Sequence, residues 1–143
     1  MRRLLLAITL LAVSFQTGFA QKAAKATDAT RSRRIAVAFF DDGRLLDADG
    51  QAQLKNFRYF FTMIQEIAKK DFPDVELKLV GRGELVKLPD HTNLNVETMQ
   101  PKLGFILAQP GAKRRVLTGV QTDADFACAA AAYFKRNSAA CPK

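Results

Sequence analysis

Three sets of side chains in this sequence could do chemistry. The first is Asp41, Asp42 and Arg44, followed closely by Asp47 and Asp49, in a segment to Gly50 that holds no cysteine, histidine or serine. Carboxylates at this density could ligate calcium or accept a proton in acid–base work with His91. Against the EF-hand pattern, Gly50 takes the required glycine position and Asp47 and Asp49 take two ligand positions. Leu45 stands at the first ligand position, however, and Asn56 at the last. A helix cap and a solvated turn account for the same aspartates. The second set is Cys128 and Cys141. A disulfide between them closes a short loop, worth about 3 kcal/mol at most by chain entropy, and ties the tail Asn137 to Lys143 onto the last helix. A redox-active thiol pair is the alternative use. The third is His91, the only histidine, in a polar stretch with no second histidine or thiolate, which fits a surface loop better than a metal site. Gly81-Arg82-Gly83 lacks the glycine spacing and the Lys-Ser or Lys-Thr pair of a phosphate loop.

The compartment follows from the first twenty residues. Arg2 and Arg3 precede an apolar run from Leu4 to Val13, and Gly18-Phe19-Ala20 offers small residues at a signal-peptidase site. The run is far short of the roughly 20 residues that span a bilayer. Residues 1–20 are therefore expected to be a signal peptide cleaved before Gln21, with no stable membrane anchor after cleavage. The destination is secreted or periplasmic, where a disulfide persists. Of 22 basic and 14 acidic residues, the leader takes two arginines, and the remaining positive charge is dispersed over turns and termini. No specific nucleic-acid binding is expected from it.

The elements that must position these groups are legible in the apolar spacing. Residues 21–32 show no apolar period and form a flexible leader into a domain over 33–136, with 137–143 as the tethered tail. Ile35 to Phe40 is six apolar residues without alternation, a strand buried on both faces. Leu54, Phe57, Phe61, Ile64 and Ala68 recur at helical steps, giving a helix from about Gln51 to Lys70 with Asp49 as N-cap. Val75 to Val80 alternates and returns parallel to the first strand. Residues 84–99 are less regular, with a short strand at Glu84 to Leu88, a turn at Pro89-Asp90 and a helical turn near Leu94 to Met99. Leu103 to Ala108 and Arg115 to Thr118 flank Pro110-Gly111, a type II turn, and form an antiparallel hairpin. Thr122 and Asp125 form a capping box opening the last helix.

This order of elements, α/β with a mixed sheet, resembles the thioredoxin-like superfamily over about Arg33 to Arg136. The similarity is densest from Pro101 to Phe134, where a proline precedes an apolar strand, a turn, a strand, a glycine and a terminal helix. The resemblance implies a three-layer sandwich in which Pro101 is cis and lines the site together with Gln100. It also implies a cysteine after the first strand, and none stands between Asp41 and Gly50. Thiol–disulfide exchange by that family's mechanism, and peroxide chemistry with it, lack their nucleophile. Cys128 and Cys141 are expected far from the Pro101 loop. The expectation is thus a divergent, non-catalytic member without cofactor or metal. Its rim at Asp41, Asp42, Arg44, Gln100 and Pro101 would bind a peptide or protein partner. Redox chemistry at Cys128 and Cys141, or calcium binding, are the alternatives.

Overall fold

The computed structural model describes residues 33–141. The expected signal peptide and residues 21–32 lie outside the described residues. The described chain is a mixed α/β structure. Four strands make one sheet in the order β2-β1-β5-β6: β1 (Arg34–Phe40), β2 (Val75–Val80), β5 (Leu103–Ala108) and β6 (Arg115–Leu117). β1 and β2 are parallel, whereas β5 is antiparallel to β1 and β6 antiparallel to β5. Two further strands, β3 (Leu85–Lys87) and β4 (Asn93–Asn95), form a separate ribbon. The helices are α1 (Ala48–Asp71) and α2 (Asp123–Phe134).

The unbroken apolar run of β1 is explained by its two covers. Ala36, Ala38 and Phe40 face the helices, joined by Leu54, Phe57, Phe61 and Ile64 of α1 and Phe126 of α2. Ile35, Val37 and Phe39 face the other way, against Val86, Leu88, Leu94 and Val96 of the ribbon segment. Full burial of a side chain such as Val37 or Phe39 contributes about 1.5–3 kcal/mol relative to exposure. On the helix side, Phe105 of β5 is bracketed by Phe57 at 5.3 Å and Phe126 at 5.1 Å between ring centroids, so both helices register on one strand.

Two sequence expectations need correction. The cap of α1 is Asp47, whose side chain accepts from the Gly50 N–H; Asp49 lies in the first turn, where its charge suits the helix dipole. The stretch from Leu94 to Met99 opens with β4, and the helical turn is a 3-10 turn over Val96–Thr98. The capping box at Thr122 and Asp125 is present, and Gly111 carries the positive φ of 73° that a type II turn requires. Cys128 and Cys141 are joined by a disulfide. Among the described residues, no helix is long and apolar enough to cross a membrane.

Candidate functional site

The site is built at the carboxyl end of β1. Phe40 pairs with Leu103, and the ladder runs one step further because the Asp41 N–H donates to the Lys102 carbonyl at 2.7 Å. That step carries Asp41 into the protein, where it is 1% exposed. A carboxylate there would be costly alone. The 3-10 turn Asp42–Arg44 brings Arg44 back over it, and Arg44 Nε donates to Asp41 Oδ2 at 2.5 Å. The same guanidinium donates through Nη2 to the carbonyls of Met99 at 2.8 Å and Val96 at 3.3 Å. A planar fork can serve one carboxylate and two carbonyls together, which an ammonium could not do in this geometry.

A second arginine completes the arrangement. Arg82 follows β2, with Nη1 3.7 Å from Asp41 Oδ1 and Nε donating to Glu97 Oε1 at 3.2 Å. Asp41 Oδ1 is buried and accepts no hydrogen bond, so Arg82 acts on it through charge alone. Gly43 is what lets Arg82 lie across the turn, since a Cβ at that position would run into its guanidinium. Asp41, Arg44, Arg82 and Glu97 thus tie the ends of β1 and β2 to the segment that leads into Gln100–Pro101. That peptide bond is cis; Gln100 is exposed and Pro101 half-buried.

Beside this strut lies a groove of about 520 Å³. Its floor is apolar: Phe57 and Phe60 from α1, Leu103 from the start of β5, and Val120 from the segment before α2. The rim carries the carboxamides of Gln53, Asn56 and Gln121. The groove is open because β6 pairs only with residues 105–107 of β5, so Leu103 lies beyond the end of β6. At the Gln121 side, the Thr122 hydroxyl, together with the backbone N–H groups of Thr122 and Gln121, holds the Asp125 carboxyl below the usual carboxylate range.

The structure sorts the sequence-derived candidates. It brings Asp41 and Arg44 together with Gln100 and Pro101, but Asp41 is inside and Arg44 is engaged within the protein; Asp42 and Gln100 face solvent. His91 is elsewhere. Its neighbour Thr92 accepts from Arg114 on the β5–β6 turn, at the opposite end of the sheet from Asp41, so no acid–base pair forms between them. Among the described residues, no group of three or more His, Cys, Asp or Glu is placed to hold a metal ion. The disulfide anchors a tail that packs near the C-terminal end of α1, where Asp71 accepts from the Ser138 hydroxyl and the Ala139 N–H. Arg82, Glu97 and the groove carboxamides were not among the candidates. The available signal was Gln53 and Asn56 one turn apart, bordering the Phe57 and Phe60 stripe. Comparison with family models, curated proteins and solved structures gave no match to this chain.

Proposed function

We propose that the chain is an exported, non-catalytic domain of thioredoxin-like fold that binds an extended peptide segment of a protein partner. The observation that carries this reading is the groove between α1, the start of β5 and the segment before α2, which Gln100 and Pro101 do not line. An apolar floor accepts a side chain, and three carboxamides on the rim can each donate to and accept from a peptide backbone. The parallel β1-α1-β2 unit followed by the antiparallel β5–β6 hairpin and α2 is compatible with the thioredoxin-like arrangement. The leader sequence and the Cys128–Cys141 disulfide favour a secreted or periplasmic location.

Two assays on the purified exported protein test this. Insulin-disulfide reduction and peroxide consumption should stay at background. A positional library of extended octapeptides should yield binders that Val120→Ser weakens about fivefold or more, the loss expected for removing apolar contact from the floor. Turnover in either reaction would refute the non-catalytic reading, and binding indifferent to Val120→Ser would remove the groove from it.

A further inference from the structure

We propose that the outer edge of β2 pairs antiparallel with β2 of a second copy of this chain, joining the two sheets into one across a two-fold axis beside Leu77. Among the described residues, β2 pairs with β1 alone and ends the sheet, so its other backbone edge has no strand against it. The run Val75–Val80 is unbroken by proline or glycine. Its apolar face is also unfinished. Val75, Leu77 and Leu79 pack toward the helix side but are only half-buried, whereas Ala36 and Ala38, opposite Leu77 and Leu79 on β1, are fully buried. Alongside them a hollow of about 320 Å³ opens between β2 and α1, with Ala68, Phe72 and Pro73 as its apolar wall. A strand added at this edge would cover both.

What selects a second copy is the order of charges along the strand. Glu76 and Lys78 alternate with the apolar residues, so they share the opposite face, where they form an ion pair at 3.1 Å. A two-fold axis perpendicular to the sheet allows only registers in which the numbers of two opposed residues have an even sum. With Leu77 opposite Leu77 of the second copy, Glu76 of each chain faces Lys78 of the other, and Val75 faces Leu79. Moving the axis to Glu76 or to Lys78 sets like charges directly opposite each other, which is destabilising. Charge and apolar contact therefore favour the same register. It brings Leu79 of the second copy beside Val75, at the mouth of the hollow. A lysine alone on an edge strand discourages pairing. With glutamate two residues earlier, the strand is instead complementary to itself. The peptide groove lies on the β5 side of α1, away from β2, so each copy keeps its own.

Sedimentation of the purified exported protein over a range of concentrations tests the proposal. One strand pair makes a small interface, so the wild type should be half dimeric near roughly 100 µM. In Lys78→Glu both cross-copy pairs become acid against acid, and in Glu76→Lys both become base against base. Each variant alone should therefore dimerise about tenfold or more weakly. Mixed one to one, the two variants set opposite charges across both pairs again and should form a heterodimer about as tight as the wild-type dimer. Glu76→Lys with Lys78→Glu in one chain should restore the homodimer in the same way, which keeps the test intact should a single variant fold poorly. Backbone amide exchange in residues 75–80 should slow as concentration rises. A wild type that stays monomeric up to roughly 1 mM would overturn the proposal. So would dimers indifferent to both charge variants, variants that fail to associate on mixing, or slowed exchange confined to residues 53–60 and 118–121.

Discussion

Replacing Arg44 with methionine asks whether the cluster at the end of β1 is a strut or a set of free surface charges. Methionine keeps most of the apolar stem and removes the guanidinium. Asp41 Oδ2 would then lose its donor while the carboxylate stays 1% exposed, and the Met99 and Val96 carbonyls would lose theirs. Removing one partner of a buried pair costs about 3–5 kcal/mol. The Arg44 side chain is 25% exposed and Arg82 remains 3.7 Å from Oδ1, so the lower end applies, about 3 kcal/mol. With an unfolding entropy of about 2.1 cal/mol/K per residue, that is a fall in Tm of roughly 13 °C for a domain of this size. The second variant isolates the charge. Asp41→Asn in the Arg44→Met background turns a buried carboxylate left with only the Arg82 contact into a neutral amide, and should recover about 1.5 kcal/mol. Urea titration at pH 7 followed by far-UV circular dichroism reads both. A loss below about 0.5 kcal/mol for Arg44→Met, or a double variant no more stable than the single one, would refute the strut.

Other parts of the structure make independent predictions. Gly50→Ala should destabilise by about 1–3 kcal/mol in a thermal melt, because the new Cβ would lie 2.8 Å from Leu45 Cα, a backbone atom that cannot swing aside. That clash outweighs alanine's helix preference of about 1 kcal/mol. Replacing both Cys128 and Cys141 with serine should lower stability by at most about 3 kcal/mol, read by urea titration, without touching peptide affinity. The Asp71 carboxyl is held below its ordinary value chiefly by the Ser138 hydroxyl, against a smaller opposing effect of burial and with help from the Ala140 and Ala139 N–H groups and Lys70. Because the folded value is depressed, this contribution is present above the unfolded value near 3.9 and is lost as pH falls through the folded one. Between pH 5 and pH 3 the wild type should therefore lose more stability than Ser138→Ala, and parallel curves would show that the bond is inconsequential.

Long-period features were legible in the sequence. The β1 run, the α1 stripe and the hairpin turn each repeat one physical requirement over several residues. The capping box is short, but its two side chains satisfy each other's backbone. The α1 cap is ambiguous in the sequence because Asp47-Ala48-Asp49-Gly50 offers two acidic caps, and glycine resembles a boundary. Gly50 is instead inside the helix, where the backbone of Leu45 leaves no room for a Cβ. The β3–β4 ribbon was only half visible, since each strand has three residues and turns one of them, Val86 or Leu94, inward. The role of Arg82 was illegible for another reason. Its partners Asp41 and Glu97 are remote in sequence, and the contact exists only because β2 is parallel to β1. The burial of Asp41 likewise depends on the Lys102 carbonyl across the ladder.

On the proposed function, a peptide binds in the groove between α1, the start of β5 and the segment before α2. Backbone amide chemical-shift mapping of the mature protein, titrated with the tightest library peptide, tests it most directly. Shifts should concentrate in residues 53–60, 102–104 and 118–121, with the β3–β4 ribbon and the disulfide-tied tail unmoved. Shifts centred on the ribbon or the tail, or spread evenly over the surface at saturating peptide, would contradict it.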